Sequence, residues 1–425
     1  MNGPKIVVIG AGSYTFGFTM IHDAVVDHRL DGAEMHLVDT DRELAEAYAK
    51  IAARLAREHG VKMEFRATDD RTKALDGADF VTTSIAVDLK RRAATDWRIA
   101  LKHGILQTNS ECGSIGGLSY TMRSVPLVLG VCRDMERLCP KATLLNVTNP
   151  LTRVVLAANR YSSIKTVGFC YVALVGWRMA ARTLFVEPQD LDVTFAGINH
   201  FTWLIDVREK KTGRNLYPDV RAAAEKGFYA PLMRKYLRET GYLAGSGDGH
   251  MGEFLPFDRD LCVGEPEFGH GSFAERGERR ALILRVADGE DRWQYLHHAW
   301  ERPMDYVDAV VHDKKTRFDF LNVPNRGTIV GLAEDMIVEV PADVDAGGAV
   351  PAKLPDMPKA VLRLLKPAAE TCHWAVEAAV HGDLKAAHKA IDADPAIAHT
   401  EKIAARNAFA EMLEAHRDIL DNRQK

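Results

Sequence analysis

Through its first half the chain alternates short apolar, β-branched runs with longer stretches in which apolar residues return every three to four positions. The runs are KIVVIG (5–10), EMHLVD (34–39), MEFRAT (63–68), ADFVTTSIA (78–86), ATLLNVTN (142–149) and KTVGFC (165–170). Each leads into a turn or cap signal, which predicts a buried strand. Between them, RELAEAYAKIAARLAREHG (42–60) carries the period of an amphipathic helix and closes on Gly60, a residue suited to a left-handed C-cap. Strands alternating with helices predict an α/β fold: a Rossmann-type parallel sheet covered on both faces.

The rhythm changes near residue 190. DVTFAGINHFTWLIDVREKKTGRNLYP (192–218) predicts two strands around a short turn, then a polar hairpin tip. Helical periods follow within 219–239, within 272–289 and through the last seventy or so residues. PADVDAGGAVPAKLP (341–355) predicts a loop ahead of the C-terminal helices. Residues 1–190 are therefore expected to form the Rossmann-type domain and 191–425 a mixed α+β domain packed across the crevice.

Composition narrows the class. The chain has 425 residues, 47% of them hydrophobic and 27% charged, as a soluble enzyme-sized protein would. A formal net charge of -4 gives no general attraction to nucleic acid or to an anionic membrane. No apolar stretch is expected to reach the roughly 20 residues of a membrane span. The start, MNGPKIVVIGAG, lacks the basic and long apolar parts of a signal peptide, so a cytoplasmic location is expected. The six cysteines (Cys112, Cys132, Cys139, Cys170, Cys262 and Cys372) include no C-x-x-C pair and are expected to be free thiols.

VVIGAGSYTFGF (7–18) follows the first strand and opens a helix. A tight turn at Gly10 and a bare backbone at Gly12, followed by Ser13, suit a pyrophosphate seated on a helix N-terminus. The third glycine of G-x-G-x-x-G is replaced by Thr15. Asp39 ends the second strand, where a carboxylate accepts from ribose hydroxyls and repels a 2′-phosphate, so NAD is favoured over NADP. A glycine turn in a sheet with no cofactor is the plainer alternative.

LLNVTNPLT places Asn146 and Asn149 at the carboxyl edge of the sheet, where amides face a ligand crevice or simply form a turn. Cys170 follows one strand later, and Asn199 and His200 sit at a break between two strands. A thiolate and an imidazole from separate segments can hold a divalent metal with positions left open. A space-filling cysteine and a satisfied histidine are the alternative. SGDGHMGEFLPF (246–257) adds Asp248, His250 and Glu253, and QTNSECGSIGG (107–117) adds Glu111, as acid–base candidates or solvated loop residues.

In order and spacing these blocks resemble glycoside hydrolase family four, the NAD- and metal-dependent glycosidases. The resemblance spans nearly the whole chain, through IGAGS, RRAATDWRIALKHG, GSIGGLSYTMRSVP, NVTNPLT, GFC, AGINHFTWL, GDGHMGEFLPF and NVPNRGTIVGLAEDMIVEVP. It implies a lactate/malate dehydrogenase-like fold with tightly held NAD and a divalent metal, usually manganese. NAD would take hydride from C3 of the sugar, a base would remove the C2 proton, the aglycone would leave from C1, water would add, and the hydride would return. The usual carboxylate pair of glycosidases is then unnecessary.

Carried onto this chain, the resemblance makes Cys170 and His200 the metal ligands. Gly10, Gly12, Ser13, Asp39 and Asn146 become cofactor residues, and Asn149, Asn199 and Tyr171 substrate residues. Glu111 becomes the acid at the leaving group and Asp248 the base at C2. Tyr171 departs from the family, whose members acting on unphosphorylated sugars have histidine there and whose phosphosugar members have aspartate or asparagine. Gly331 likewise stands where asparagine is usual. Arg178, Arg276, Arg279 and Arg280 are a candidate cradle for a carboxylate or sulfonate at C6, or solvated helix charges. The second domain is expected to carry substrate, metal and oligomer contacts, in a homodimer or homotetramer.

The leading expectation is an NAD-dependent glycosidase of an unphosphorylated hexoside, an acidic C6 group being one option. A sulfoquinovosidase using the same cycle is the near alternative. A sugar or 2-hydroxy-acid dehydrogenase belongs to another class and has no need of the GFC and NH blocks. A nucleotide-sensing protein has no use for them either.

Overall fold

A computed structural model describes residues 3–257 and 273–421. Cys262 lies outside the described residues; the other five cysteines are buried free thiols, as expected. All six predicted strands of the first half form: β1 (Lys5–Ile9), β2 (Glu34–Val38), β3 (Glu64–Thr68), β4 (Phe80–Thr83), β5 (Thr143–Asn146) and β6 (Lys165–Gly168). They pair in parallel in the order β3-β2-β1-β4-β5-β6, the doubly wound Rossmann arrangement. The helix Arg42–His59 follows β2, capped by Asp41 at its start and by Gly60 in the left-handed conformation at its end.

The later strands are antiparallel: β7 (Leu191–Ile198), β8 (Phe201–Glu209), β9 (Leu243–Ala244), β10 (Thr316–Pro324), β11 (Ile337–Asp345) and β12 (Gly348–Pro351). They extend the same sheet, because β10 pairs with β6 at Asn322 and Gly168, and β11 with β7 at Glu339 and Gly197. Gly168 permits the first join, since a Cβ there would lie 2.6 Å from Leu151 Cδ2 and 2.9 Å from Asn322 Cβ.

Two expectations need correction. The segment 341–355 is not a loop, because β11 runs on to Asp345 and turns through Ala346 and Gly347 into β12. Its glycines read as a loop, yet Gly348, at φ +96°, and the Asp345 side chain, which accepts from the Gly347 amide, close a tight hairpin. The second correction concerns the helix Ser114–Leu138, which is long and apolar enough to cross a membrane; 83% of its most apolar window is buried within the protein. It is the central core helix, packed against Leu151–Tyr161 and Lys359–His381.

Candidate active site

The glycine turn after β1 is shaped by backbone sterics. Gly10 has φ +90°, and a Cβ on it would lie 2.1 Å from the Ser84 carbonyl oxygen. The Gly12 N–H donates to Asp39 Oδ2 at 2.7 Å, and Ser13 Oγ accepts the Thr15 and Phe16 amides at 3.3 and 3.2 Å. The packing glycine missing at Thr15 sits two residues later. A Cβ on Gly17 would meet the Ala11 carbonyl oxygen at 2.2 Å and the Tyr48 ring at 3.0 Å. The turn therefore keeps two glycines where a Cβ would strike Ser84 and Asp39, and supplies the close helix contact from an offset position.

The helix Phe273–Asp288 packs against the helix Arg42–His59 beside this turn, and Arg280 bonds to Glu43 and, at 3.5 Å, to Asp41. Burial raises the Tyr14 hydroxyl, and nearby Arg280 partly offsets it. Arg178 is engaged elsewhere, with its guanidinium 3.9 Å over the Trp300 ring. Of the four arginines offered as an anion cradle, Arg280 is paired with Glu43 and Asp41 at the nucleotide end, Arg276 stands with it near Tyr14, and Arg178 lies over Trp300.

At the carboxyl edge of the sheet, Asn146 is wholly buried, its amide bonded to Thr83 Oγ1 and to the Thr148 carbonyl, each at 2.9 Å. Asn149 instead reaches out of the strand and donates to Glu111 Oε1 at 2.8 Å. The fold thereby brings together two residues that stand 38 positions apart.

Cys170 and His200 meet at the next strand, Sγ and Nε2 lying 3.5 Å apart and both residues buried. A sulfur and a nitrogen this close make a hydrogen bond in the free site, and both donors are also near enough to reach one divalent ion. Burial pushes the Cys170 thiol well up, and Glu301 and Glu339 add to this, so a thiolate here needs a cation to sustain it. His200 occupies the β7–β8 turn at φ +64°, and its Nδ1 is buried without a hydrogen bond.

Glu111, Cys112 and His200 form one group of closely approaching donor atoms, and His200, His250 and Glu253 form another. The His200 and His250 rings lie 4.1 Å apart, and Glu253 Oε2 is 3.2 Å from His250 Nδ1. Burial opposes charge on Glu253, but the His200 and His250 imidazoles beside it, the latter within bonding distance, outweigh burial and hold the carboxyl at about 2. Asp248, the residue of this segment expected as the base at C2, is placed differently. Its carboxylate accepts the Leu232 and Met233 amides at 2.8 and 2.9 Å, at the start of the helix Pro231–Thr240. The i, i+3 spacing of His250 and Glu253 was the available signal for the inward pair.

Asn199 donates to Glu339 Oε1 at 3.0 Å, and Asn322 reaches the same oxygen at 2.9 Å, so Asn199 fastens β7 to β11 and β10. Its Oδ1 is buried and unbonded. Tyr171 donates its amide to Glu301 at 3.4 Å and packs its ring edge-on to Phe320, centroids 5.1 Å apart.

Residues 5–185 match the family model described as family 4 glycosyl hydrolase, and residues 195–397 that of its C-terminal domain. A probable 6-phospho-beta-glucosidase of Bacillus subtilis (strain 168) is 30% identical, covering 98% of this chain and 97% of that protein. The chain belongs to glycosyl hydrolase family 4. Within the family, an alpha-galactosidase of the same organism is 28% identical over 92% of this chain and 93% of its own length. The fold is shared with a 6-phospho-alpha-glucosidase from gut microorganisms solved with NAD and Mn2+, at a TM-score of 0.84 and 22% identity over 98% and 99% of the two chains. This family 4 member is thus a glycosidase built on a Rossmann-type α/β sheet, and the relatives' names spread over phosphorylated and unphosphorylated sugars.

Proposed function

We propose that this glycosidase cleaves an unphosphorylated hexoside with NAD and a divalent metal, manganese foremost, through oxidation at C3 and elimination across C1 and C2. The carrying observation is the meeting of Cys170 and His200, at a spacing one ion can bridge, beside the bonded pair Glu111 and Asn149. The tight glycine turn after β1, with Asp39 bonded to the Gly12 amide, supports NAD as the nucleotide. When bound, the nicotinamide supplies reversible hydride transfer and the metal polarises the C3 oxygen.

The chain's own groups do the rest. Cys170 and His200 hold the metal, and Asn149 orients a sugar hydroxyl while keeping Glu111 turned inward. Glu111 protonates the departing glycosidic oxygen. Asp248 takes the C2 proton after giving up its two amide bonds to the helix Pro231–Thr240. Tyr171 and Asn199 shape the wall beside the metal pair, and Asn146 fixes the strand end that the nicotinamide half would rest on. A sugar without phosphate and a homo-oligomeric assembly are what the sequence leads us to expect.

The test is a panel of aryl glycosides (glucoside, galactoside, glucuronide, galacturonide, 6-phosphoglucoside and sulfoquinovoside) with catalytic NAD, with and without Mn2+, and after chelation. Aryl alcohol and NADH absorbance are followed together. Release that needs both NAD and Mn2+, on an unphosphorylated member and without accumulating NADH, is the expected result. Release surviving chelation overturns the metal assignment, steady NADH formation overturns the mechanism, and preference for the 6-phosphoglucoside overturns the substrate class.

A further inference from the structure

A buried carboxylate to which the reaction assigns no chemical step stands behind the metal pair. Glu253 is 1% exposed, and its carboxylate is met by two backbone amides and faces two imidazoles. Oε1 accepts the N–H groups of Glu111 and, at 3.0 Å, Cys112, while Oε2 faces His250 Nδ1 at 3.2 Å and His200 Nδ1 at 3.7 Å. Every one of these contacts is to a residue of the site or to its neighbour. The carboxylate also joins segments far apart in the chain, reaching from the stretch after β9 to the one that precedes the helix Ser114–Leu138. Bare backbones let the two loops close up: a Cβ on Gly113 would lie 2.0 Å from the Glu253 carbonyl oxygen, and one on Gly252 would lie 2.5 Å from Thr108 Cγ2.

We propose that Glu253 is a positioning residue that sets the tautomer and angle of His200 and fixes the loop carrying Glu111, joining the metal site and the acid through one side chain. This rests on the metal reading of Cys170 and His200. A neutral imidazole has one N–H and one lone pair. A carboxylate facing Nδ1 keeps the proton on that nitrogen and leaves the Nε2 lone pair for a metal. Nε2 is the atom turned toward Cys170. The ring has little other orientation control: Nδ1 has no hydrogen bond, the Glu253 carboxylate faces it at 3.7 Å, and the backbone is held through Ser246 Oγ donating to the His200 carbonyl at 2.7 Å. Glu253 thus decides which nitrogen the site presents.

The test is Mn2+ binding to the full chain, by calorimetry and by the paramagnetic resonance of free Mn2+, in wild type, Glu253→Gln, Glu253→Asp and Cys170→Ala. Partners of this kind contribute roughly 10–100-fold to metal affinity. Glu253→Gln is expected to lose that much with NAD affinity unchanged, and Glu253→Asp, which keeps the charge, to recover part of it. A merely structural role predicts that NAD and Mn2+ affinity fall together, and this result overturns the proposal. Wild-type Mn2+ binding in Glu253→Gln with loss in Cys170→Ala overturns the role of Glu253 alone. Wild-type binding in both variants overturns the metal pair and this role with it. Should Glu253→Gln not fold, nitrogen-15 shifts of the wild-type His200 ring decide: the proton on Nδ1 supports the assignment and on Nε2 refutes it.

Discussion

Gly17 gives the sharpest test of how the nucleotide turn is built. In Gly17→Ala the new Cβ lies 2.2 Å from the Ala11 carbonyl oxygen and 3.0 Å from Tyr48 Cε2. The first neighbour is backbone and belongs to the turn itself, and Tyr48 is buried, so neither yields cheaply. Overpacking of this kind costs about 1–3 kcal/mol. Replacing a helical glycine with alanine returns about 0.4–1 kcal/mol through the unfolded chain. A net loss of about 1–2 kcal/mol is expected in urea unfolding. The same overlap pushes Ala11, between Gly10 and Gly12, out of place, so NAD affinity should fall about tenfold, equivalent to about 1.4 kcal/mol. Fluorescence titration with NAD and the urea midpoint are the two assays. Thr15→Gly is the control, and combined with Gly17→Ala it should not rescue, because residue 15 is not the contact. Wild-type stability and NAD affinity in Gly17→Ala would refute the idea that the packing role has moved to residue 17.

Three further outcomes follow from the same geometry. Asp96, 2% exposed, accepts from Arg123 at 2.7 Å and lies 2.8 Å from His416 Nε2, so Asp96→Ala strands a buried guanidinium and should cost about 3–5 kcal/mol in urea unfolding. Asp248→Ala should cost about 1 kcal/mol of stability as a lost helix cap; if Asp248 is also the base, exchange of the C2 proton with solvent should slow at least about 100-fold, and wild-type exchange would remove it from that role. The third concerns pH. His298 is bonded to Asp23 and raised above its ordinary 6.5, while His28, despite burial, is raised by Asp305. Burial opposes charge on Asp23, but His22, His298 and Arg302 hold it below its ordinary 3.8. The histidine contributions are fully present below pH 6.5 and fade as pH rises through the raised values; that of Asp23 is present above 3.8 and fades as pH falls through its lowered value. The urea midpoint of Asp23→Asn should therefore lie closest to wild type at high pH, and an equal gap from pH 5 to about 8.5 would contradict the linkage.

The sequence by itself determined the elements and their class. Local periodicity marks β1, β2, β4, β5 and β6 and the helix Arg42–His59, because burial on both faces of a parallel sheet demands continuous apolar runs and an outer helix shows one apolar stripe, whereas the edge strand β3 is exposed or half-buried throughout. It also marked the segments that meet: the glycine turn, Asn149, Glu111, Cys170 and His200 all come from blocks whose order alone indicated the family. Tertiary structure decided what periodicity has no means to encode. Whether a polar side chain at a strand end faces inward or toward a ligand depends on partners far away in the chain, so Asn146 is spent on Thr83 and Thr148 while Asn149 reaches Glu111. In the GDGHMGE loop three titratable residues stand within six positions. Only the packing of that loop against residues 108–113 and against the helix Pro231–Thr240 turns Glu253 and His250 inward and Asp248 onto backbone amides. Hairpin β11–β12 shows the same limit in reverse. Its glycines signal a break, and cross-strand pairing, a contact between distant residues, makes the break a two-residue turn. Local chemistry sets which residues are able to act; the long-range contacts set where their polar atoms point.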